Sequence, residues 1–71
     1  MATMEPKMFD RFRHYKGGEY TFIHKALHTE TGETMIIYTD GNAVYARPSQ
    51  MFFGMVDLDG VLFPRFRRIN Q

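Results

Sequence analysis

The chain has 71 residues, which limits it to one small domain, because a chain of this length buries only roughly 60% of its unfolded surface. It contains no cysteine, so disulfides, thiolate catalysis and cysteine-based zinc sites are excluded. Nine lysines and arginines against eight acidic residues give a net charge of +1, well below the basic excess of a dedicated nucleic-acid-binding protein.

The N-terminal segment carries charged residues and lacks the continuous apolar centre of a signal peptide. The longest apolar run, MFFGMV at 51–56, is far shorter than the roughly 18–20 residues of a membrane-spanning helix. We therefore expect a cytoplasmic protein that does not contact a membrane. Residues 1–10 are predicted to be loosely ordered, and residues 11–71 to form the single domain.

A glycine pair precedes the first long predicted strand. Gly17 and Gly18 lie within HYKGGEY (14–20), and EYTFIHKALHT (19–29) then alternates its side chains as a strand does. A phosphate-binding loop is the alternative for the glycines. Such a loop follows a strand, precedes a helix and has its lysine after the glycines, whereas Lys16 comes before them. The pair is therefore predicted to bend the chain into the strand.

Two hairpins and one helical turn are predicted in the second half of the chain. An Asp-Gly pair at 40–41 closes the first hairpin (34–47), and another at 59–60 closes the second (54–63). Between them, proline and glycine in RPSQMFFG leave room for one short helical turn of the 3₁₀ kind. Ser49 is interpreted as a cap for that turn rather than as a nucleophile.

About five short strands with tight turns predict an all-β fold, a small SH3-like barrel that hides its strand edges. Pro64 confines its strand to an edge or a bulge, so one seam of the barrel is expected to be open near residues 62–66. The alternative is an open sheet that dimerises through an edge.

Several short segments occur here in the order and spacing of a known bacterial family. They are RHYKGGEY (13–20), HTET (28–31), RPSQMF (47–52), Asp59-Gly60 and PRFRRI (64–69). Together they resemble the family known as domain of unknown function 1653. The resemblance, over about residues 11–69, implies a small β-rich, SH3-like module with no assigned activity. YTDGNAVYARP departs from the pattern, because Tyr45 and a tight turn replace a tryptophan and a longer loop.

The strongest functional candidate is a group of arginines beside aromatic side chains. The candidate ligand-binding residues are Tyr38, Tyr45, Arg47 and Arg65. Arginines bind anions through two hydrogen bonds and stack on flat groups, which suits a nucleotide, an RNA strand or an acidic peptide. In a purely structural alternative, Glu30 pairs with Arg47 or Arg65, and His28, Glu30 and Thr31 serve as polar partners in the HTET turn.

The histidines raise the alternative of a metal site or an enzyme. His24 and His28 are four residues apart, roughly 13 Å on a strand, which is too far for two ligands of one ion. His28 and Glu30 share a strand face, so a small enzyme or a metal-dependent accessory protein using them is the alternative function. We expect no catalytic residue, no metal and no cofactor.

The favoured function is a small non-catalytic binding module for a protein, a nucleic acid or another anionic ligand. Its candidate partners are a protein or a nucleic acid, and we expect a monomer or a weak homodimer. Steep weakening of binding with rising salt is the expected mark of such a module.

Overall fold

The structure, a computed structural model, describes residues 7–69 and contains seven strands and one short helix. In chain order these are β1 (Arg11–His14), β2 (Glu19–Leu27), β3 (Thr34–Thr39), β4 (Val44–Pro48), α1 (Ser49–Phe52), β5 (Met55–Leu58), β6 (Val61–Pro64) and β7 (Phe66–Arg68). The all-β class with one short helix is therefore confirmed, although the turn is α-helical and not of the predicted 3₁₀ kind. None of the described helical residues forms a span long and apolar enough to cross a membrane.

The strands form two antiparallel sheets. Five strands lie in the order β4-β3-β2-β1-β7, and β5 pairs with β6 alone. Within the described residues, no hydrogen-bond ladder joins β4 to β7. These two strands are therefore the edges of the sheet, and it does not form a closed barrel. The sheet nevertheless bends far enough to bring its two edges close together. The Arg47 guanidinium on β4 lies 5.8 Å from the centre of the Phe66 ring on β7. Contacts between side chains of β4 and β7, rather than backbone hydrogen bonds between them, therefore close the core.

Two of the seven strands, β1 and β7, were not predicted, so the expected count of about five is too low. Both are short, at four and three residues, and both carry arginines next to a single buried phenylalanine. Their pairing in the register Phe12↔Arg68 and His14↔Phe66 builds the sheet outward from β2. Gly17 and Gly18 consequently lie in a β1–β2 hairpin turn, in which Gly17 has a φ of 108°.

The two predicted Asp-Gly hairpins are confirmed. β3 pairs with β4, and β5 pairs with β6. Asp59 and Gly60 have φ values of 55° and 84°, and a two-residue loop with two positive φ angles matches the right-handed twist of its strands. Pro64 ends β6 opposite Met55, so it lies in the separate hairpin rather than at a barrel seam.

Residues 7–10 are hydrogen-bonded to the sheet ahead of β1. The Asp10 carbonyl accepts a hydrogen bond of 2.8 Å from the Phe22 N–H, and the buried Asp10 carboxylate accepts one of 2.8 Å from the Lys7 N–H. Arg68 pairs with the same carboxylate at 3.3 Å. The rest of the segment predicted to be loosely ordered, residues 1–6, lies outside the described residues.

The short helix α1 presents one side chain, Phe52, to the core. Pro48 occupies the N-cap position without a side-chain hydrogen bond, so the prediction that Ser49 caps the turn is wrong. Gly54 follows the helix, and a Cβ atom there would lie 2.8 Å from the Gln50 carbonyl oxygen. The helix can therefore turn into β5 at this point because residue 54 has no side chain.

The core is almost entirely aromatic. Its buried members are Phe12, Phe22, Ile36, Tyr38, Phe52 and Phe66. Phe52 and Phe66 stack with ring centres 4.2 Å apart, and Phe12 meets Phe52 edge-to-face at 5.2 Å. Offset-stacked and edge-to-face rings are the favoured geometries of aromatic pairs. Phe52 therefore joins α1 to β1 and β7, the two neighbouring strands at one edge of the bent sheet.

Replacing Phe52 by alanine is expected to lower the free energy of unfolding by about 3–5 kcal/mol, because the fully buried ring leaves a cavity. The matched control is Phe53→Ala, whose side chain is 45% exposed and should cost less than about 1 kcal/mol. Urea unfolding followed by circular dichroism measures both. Equal losses for the two variants would contradict Phe52 as the centre of the core.

Candidate functional site

The hairpin of β3 and β4 places three of the predicted ligand-binding residues on one face of the sheet. Tyr38 lies directly opposite Tyr45, and Arg47 is two residues further along β4. The Tyr38 and Tyr45 rings are 5.5 Å apart. The Arg47 Nε–H donates a hydrogen bond of 3.1 Å to the buried Tyr38 hydroxyl. The hydroxyl of Tyr38 thus holds the guanidinium of Arg47 in place.

Arg65 reaches this region from the junction of β6 and β7. Its backbone N–H donates to the Gly54 carbonyl, and its carbonyl accepts from the Tyr15 N–H, both at 2.9 Å. The side-chain Nε–H donates a hydrogen bond of 3.1 Å to the Met51 carbonyl at the end of α1. Arg65 is therefore held by both its backbone and its side chain.

The two guanidinium groups share one arrangement. Arg47 and Arg65 are each half-buried as residues, and each guanidinium is anchored through Nε, so that within residues 7–69 the terminal amino groups are available to a ligand. Within residues 7–69, neither arginine forms an ion pair with a carboxylate. Arg11 and Arg13, in contrast, both pair with Glu19, at 2.9 Å and 2.7 Å. The site therefore combines fixed positive charge with free hydrogen-bond donors.

His14 lies beside these arginines and responds to their charge. Its ring packs edge-to-face on Phe66 at 4.9 Å. Burial of the ring, together with the positive charges of Arg47, Arg65 and Lys16, lowers the pKa of His14 from its ordinary value. The His14 Nδ1 accepts a hydrogen bond of 3.1 Å from the Lys16 N–H, so the neutral ring carries its proton on Nε2.

Sequence reasoning missed three aromatic residues at this surface: His14, Tyr20 and Phe66. The Tyr20 ring lies 5.4 Å from Tyr38, 6.1 Å from Tyr45 and 5.7 Å from Phe66. All three missed residues fall within segments that match the family pattern, which is the signal that could have identified them. Their positions beside Tyr38, Tyr45 and Arg47 depend on strand pairing between distant parts of the chain.

Asp40 fixes the orientation of Tyr45 from the β3–β4 turn. The Tyr45 hydroxyl donates a hydrogen bond of 2.7 Å to one carboxylate oxygen, and the other oxygen accepts from the Ala43 and Asn42 N–H groups. Hydrogen bonds from Ala43, from the Tyr45 hydroxyl and from Asn42 lower the pKa of Asp40 to about 2. The same contact with Asp40 raises the pKa of Tyr45.

The predicted polar partners His28, Glu30 and Thr31 lie in the β2–β3 turn and are bonded within it. The His28 Nδ1 accepts a hydrogen bond of 3.2 Å from the Glu30 N–H, and the Thr31 hydroxyl accepts one of 3.2 Å from the Glu33 N–H. The Glu30 carboxylate accepts from the Thr29 hydroxyl at 3.4 Å. Across the described residues, no ion pair joins Glu30 to Arg47 or Arg65, so the structural alternative for these arginines is not realised.

Within residues 7–69, no three histidine, aspartate or glutamate side chains are grouped so that they could hold a metal ion. His24 instead directs Nδ1 at the Lys25 carbonyl, 2.7 Å away.

Comparison with known proteins identifies the family. Residues 10–68 match DUF1653, a family described as proteins of unknown function. The chain belongs to the DUF1653 family. A crystal structure of a DUF1653 protein from Bordetella bronchiseptica is similar, with a TM-score of 0.78 and 27% identity over 96% of this chain and 92% of that chain. No curated protein matches the chain. The resemblance inferred from the sequence motifs is confirmed.

In this DUF1653 protein, lowering the pH from about 4 to about 2 is expected to release Tyr45. Folding lowers the pKa of Asp40, so the stabilisation from the charged carboxylate is complete above the unfolded value of about 4 and is lost as the pH falls through about 2. An NMR titration of the Asp40 carboxyl and Tyr45 ring signals measures the transition. Asp40→Asn should abolish it, and an Asp40 that titrates near pH 4 would contradict the described hydrogen bonds.

Proposed function

We propose that this protein is a small non-catalytic binding module whose ligand carries a phosphate-like anion, held by Arg47 and Arg65. One observation carries the proposal: two half-buried arginine residues have guanidinium groups that are anchored through Nε and have no carboxylate partner among the described residues. The proposal applies to the same surface that the sequence predicted from Tyr38, Tyr45, Arg47 and Arg65.

The electrostatics support an anion at this position. Partial burial of a charge costs free energy unless a counter-charge or hydrogen bonds compensate for it. Tyr38 and Met51 each satisfy a single donor of Arg47 and Arg65, respectively, and leave the charge uncompensated. A phosphate or carboxylate can accept two parallel hydrogen bonds from one guanidinium and thereby offsets this cost.

The neighbouring rings favour a ligand that also has a flat group. Tyr45 is 38% exposed, and Tyr20 is half-buried between Tyr38 and Tyr45. Stacking on an exposed aromatic ring adds affinity without demanding a particular base or side chain. A nucleotide-like ligand fits both the charge and the rings.

The chemistry of His14 supports binding rather than catalysis. A general base needs a free lone pair within reach of the proton that it removes. The Nδ1 lone pair of His14 already accepts the Lys16 N–H, and the proton of the neutral ring lies on Nε2. The Nε2–H of the neutral ring is a hydrogen-bond donor, which suits an anion held beside Arg47.

Titration with inorganic phosphate and with thymidine monophosphate is expected to shift the backbone NMR signals of residues around Arg47 and Arg65. Binding should also raise the pKa of His14, because the anion offsets the positive charges of the two arginines that lower it. Arg47→Gln and Arg65→Gln should each raise Kd about tenfold or more, since each removes a charge-assisted contact.

Arg11→Gln is the matched control, because it removes the same charge from an arginine that pairs with Glu19. It should leave Kd within about twofold, as expected for an exposed charge outside the contact. Arg47→Lys should keep the positive charge but lose the planar guanidinium that donates two parallel hydrogen bonds. Its Kd should therefore lie between that of the unmodified protein and that of Arg47→Gln. If phosphate leaves the His14 pKa unchanged and the Arg47 and Arg65 variants bind like the unmodified protein, the proposal is wrong.

A further inference from the structure

A second basic surface lies in a cleft where β1 and β7 meet the β5–β6 hairpin. The cleft has a volume of about 300 Å³, and its lining includes Arg13, Arg67, Tyr15, Phe63 and His14. No residue predicted from the sequence to bind a ligand lines it. The cleft again combines arginines with aromatic rings.

The strand register concentrates positive charge at this cleft. Arg13 on β1 lies directly opposite Arg67 on β7, and like charges in this position destabilise a sheet. Glu19 compensates Arg13, but it shares its carboxylate with Arg11. Arg67 is exposed and forms no ion pair within residues 7–69. An anion between Arg13 and Arg67 removes the repulsion that the fold alone leaves in place.

The cleft also offers rings and open space to a flat group. Phe63 is 43% exposed although it belongs to an apolar hairpin. Gly17 lines the same cleft, and a Cβ atom at this position would contact nothing within 4 Å. Rings beside arginines suit bases beside phosphates, because every base has a face that stacks.

His14 connects this cleft to the Arg47–Arg65 surface. It lines the cleft, and its ring is 4.9 Å from Phe66, over which the Arg47 guanidinium lies at 5.8 Å. We infer that the ligand is a single-stranded nucleic acid whose backbone passes His14 and places separate phosphates at Arg47–Arg65 and at Arg13–Arg67. This inference rests on the proposed function, since Arg47 and Arg65 form one end of the path.

A single strand matches this surface better than the other anionic ligands. An isolated phosphate fills one arginine pair and leaves the second unused, whereas a strand repeats phosphate and ring at regular intervals. An acidic peptide supplies the charges, but it does not supply a flat group for both Tyr45 and Phe63. The net charge of +1 predicts modest affinity, because few phosphates are neutralised in all.

The test uses the full chain and a labelled oligothymidylate of about eight nucleotides, a length within the range that small β modules cover. Arg67→Gln should raise Kd for this strand about 3–10-fold and make the slope of log K against log salt less negative by about 0.7, the value for one lost phosphate contact on a single strand. The Kd for inorganic phosphate at Arg47–Arg65, followed through the NMR signals around those two residues, should stay unchanged, because Arg67 does not belong to that pair.

Phe63→Leu is a second variant that leaves every charge in place. It should weaken binding of the strand through lost stacking and leave the salt slope unchanged. Lys25→Gln serves as the control for strand binding, because Arg11 shares Glu19 with Arg13 of the cleft, whereas Lys25 on β2 does not line the cleft.

Three outcomes would overturn the inference. If Arg47→Gln abolishes phosphate binding while Arg67→Gln and Phe63→Leu bind the strand normally, the second site is wrong and the proposed function stands. If a hexaglutamate peptide binds as tightly as the strand and depends equally on Arg67, the ligand class is wrong. If no variant changes the binding of any probe, both the inference and the proposed function fail.

Discussion

The stacked pair of Phe52 and Phe66 is the contact on which the rest of this small fold depends. Phe52 is the only buried side chain of a one-turn helix, and Phe66 is the only buried side chain of a three-residue strand. Neither element could hold its position through backbone hydrogen bonding alone, because both are too short. Stacking at 4.2 Å ties them together and bends the sheet, so that edge strands without a mutual hydrogen-bond ladder meet through their side chains.

The candidate site is a direct extension of this core. Tyr38 is buried against Phe52 and Phe66, and its hydroxyl holds Arg47. Arg65 directly precedes Phe66 and donates to the carbonyl of Met51, the residue before Phe52. Packing of the rings therefore positions both guanidinium groups. The same interactions that stabilise the domain organise its proposed anion-binding surface in advance, which reduces the entropy that a ligand must lose on binding.

The net charge of this protein says little about anion binding, whereas the surroundings of its individual arginines are informative. A formal charge of +1 indicates little affinity for anions. The structure separates the arginines into those held by carboxylates, such as Arg11 and Arg13 on Glu19, and those anchored by neutral oxygens, such as Arg47 and Arg65. Because exposed pairs neutralise each other at short range, the field that reaches a ligand comes mainly from Arg47 and Arg65, together with Arg67, which forms no ion pair within residues 7–69. A local patch can thus bind anions on a chain that is nearly neutral.

Local chemistry in the sequence was sufficient for the hairpins, the helical turn and the family. Asp-Gly pairs favour tight turns, and the alternation of side chains identifies β3 as a strand whichever strands it pairs with. Arg47, Arg65, Tyr38 and Tyr45 were also identified as candidates, because arginine beside tyrosine has a recognisable chemistry. The strands β1 and β7 escaped prediction, since four and three residues with arginines carry almost no periodic signal. Only the tertiary structure decided that His14 and Phe66 lie near Arg47, that Tyr20 packs on Tyr38 and Tyr45, and that Glu30 pairs with neither arginine. Such contacts depend on strand register and on the bend produced by the aromatic core.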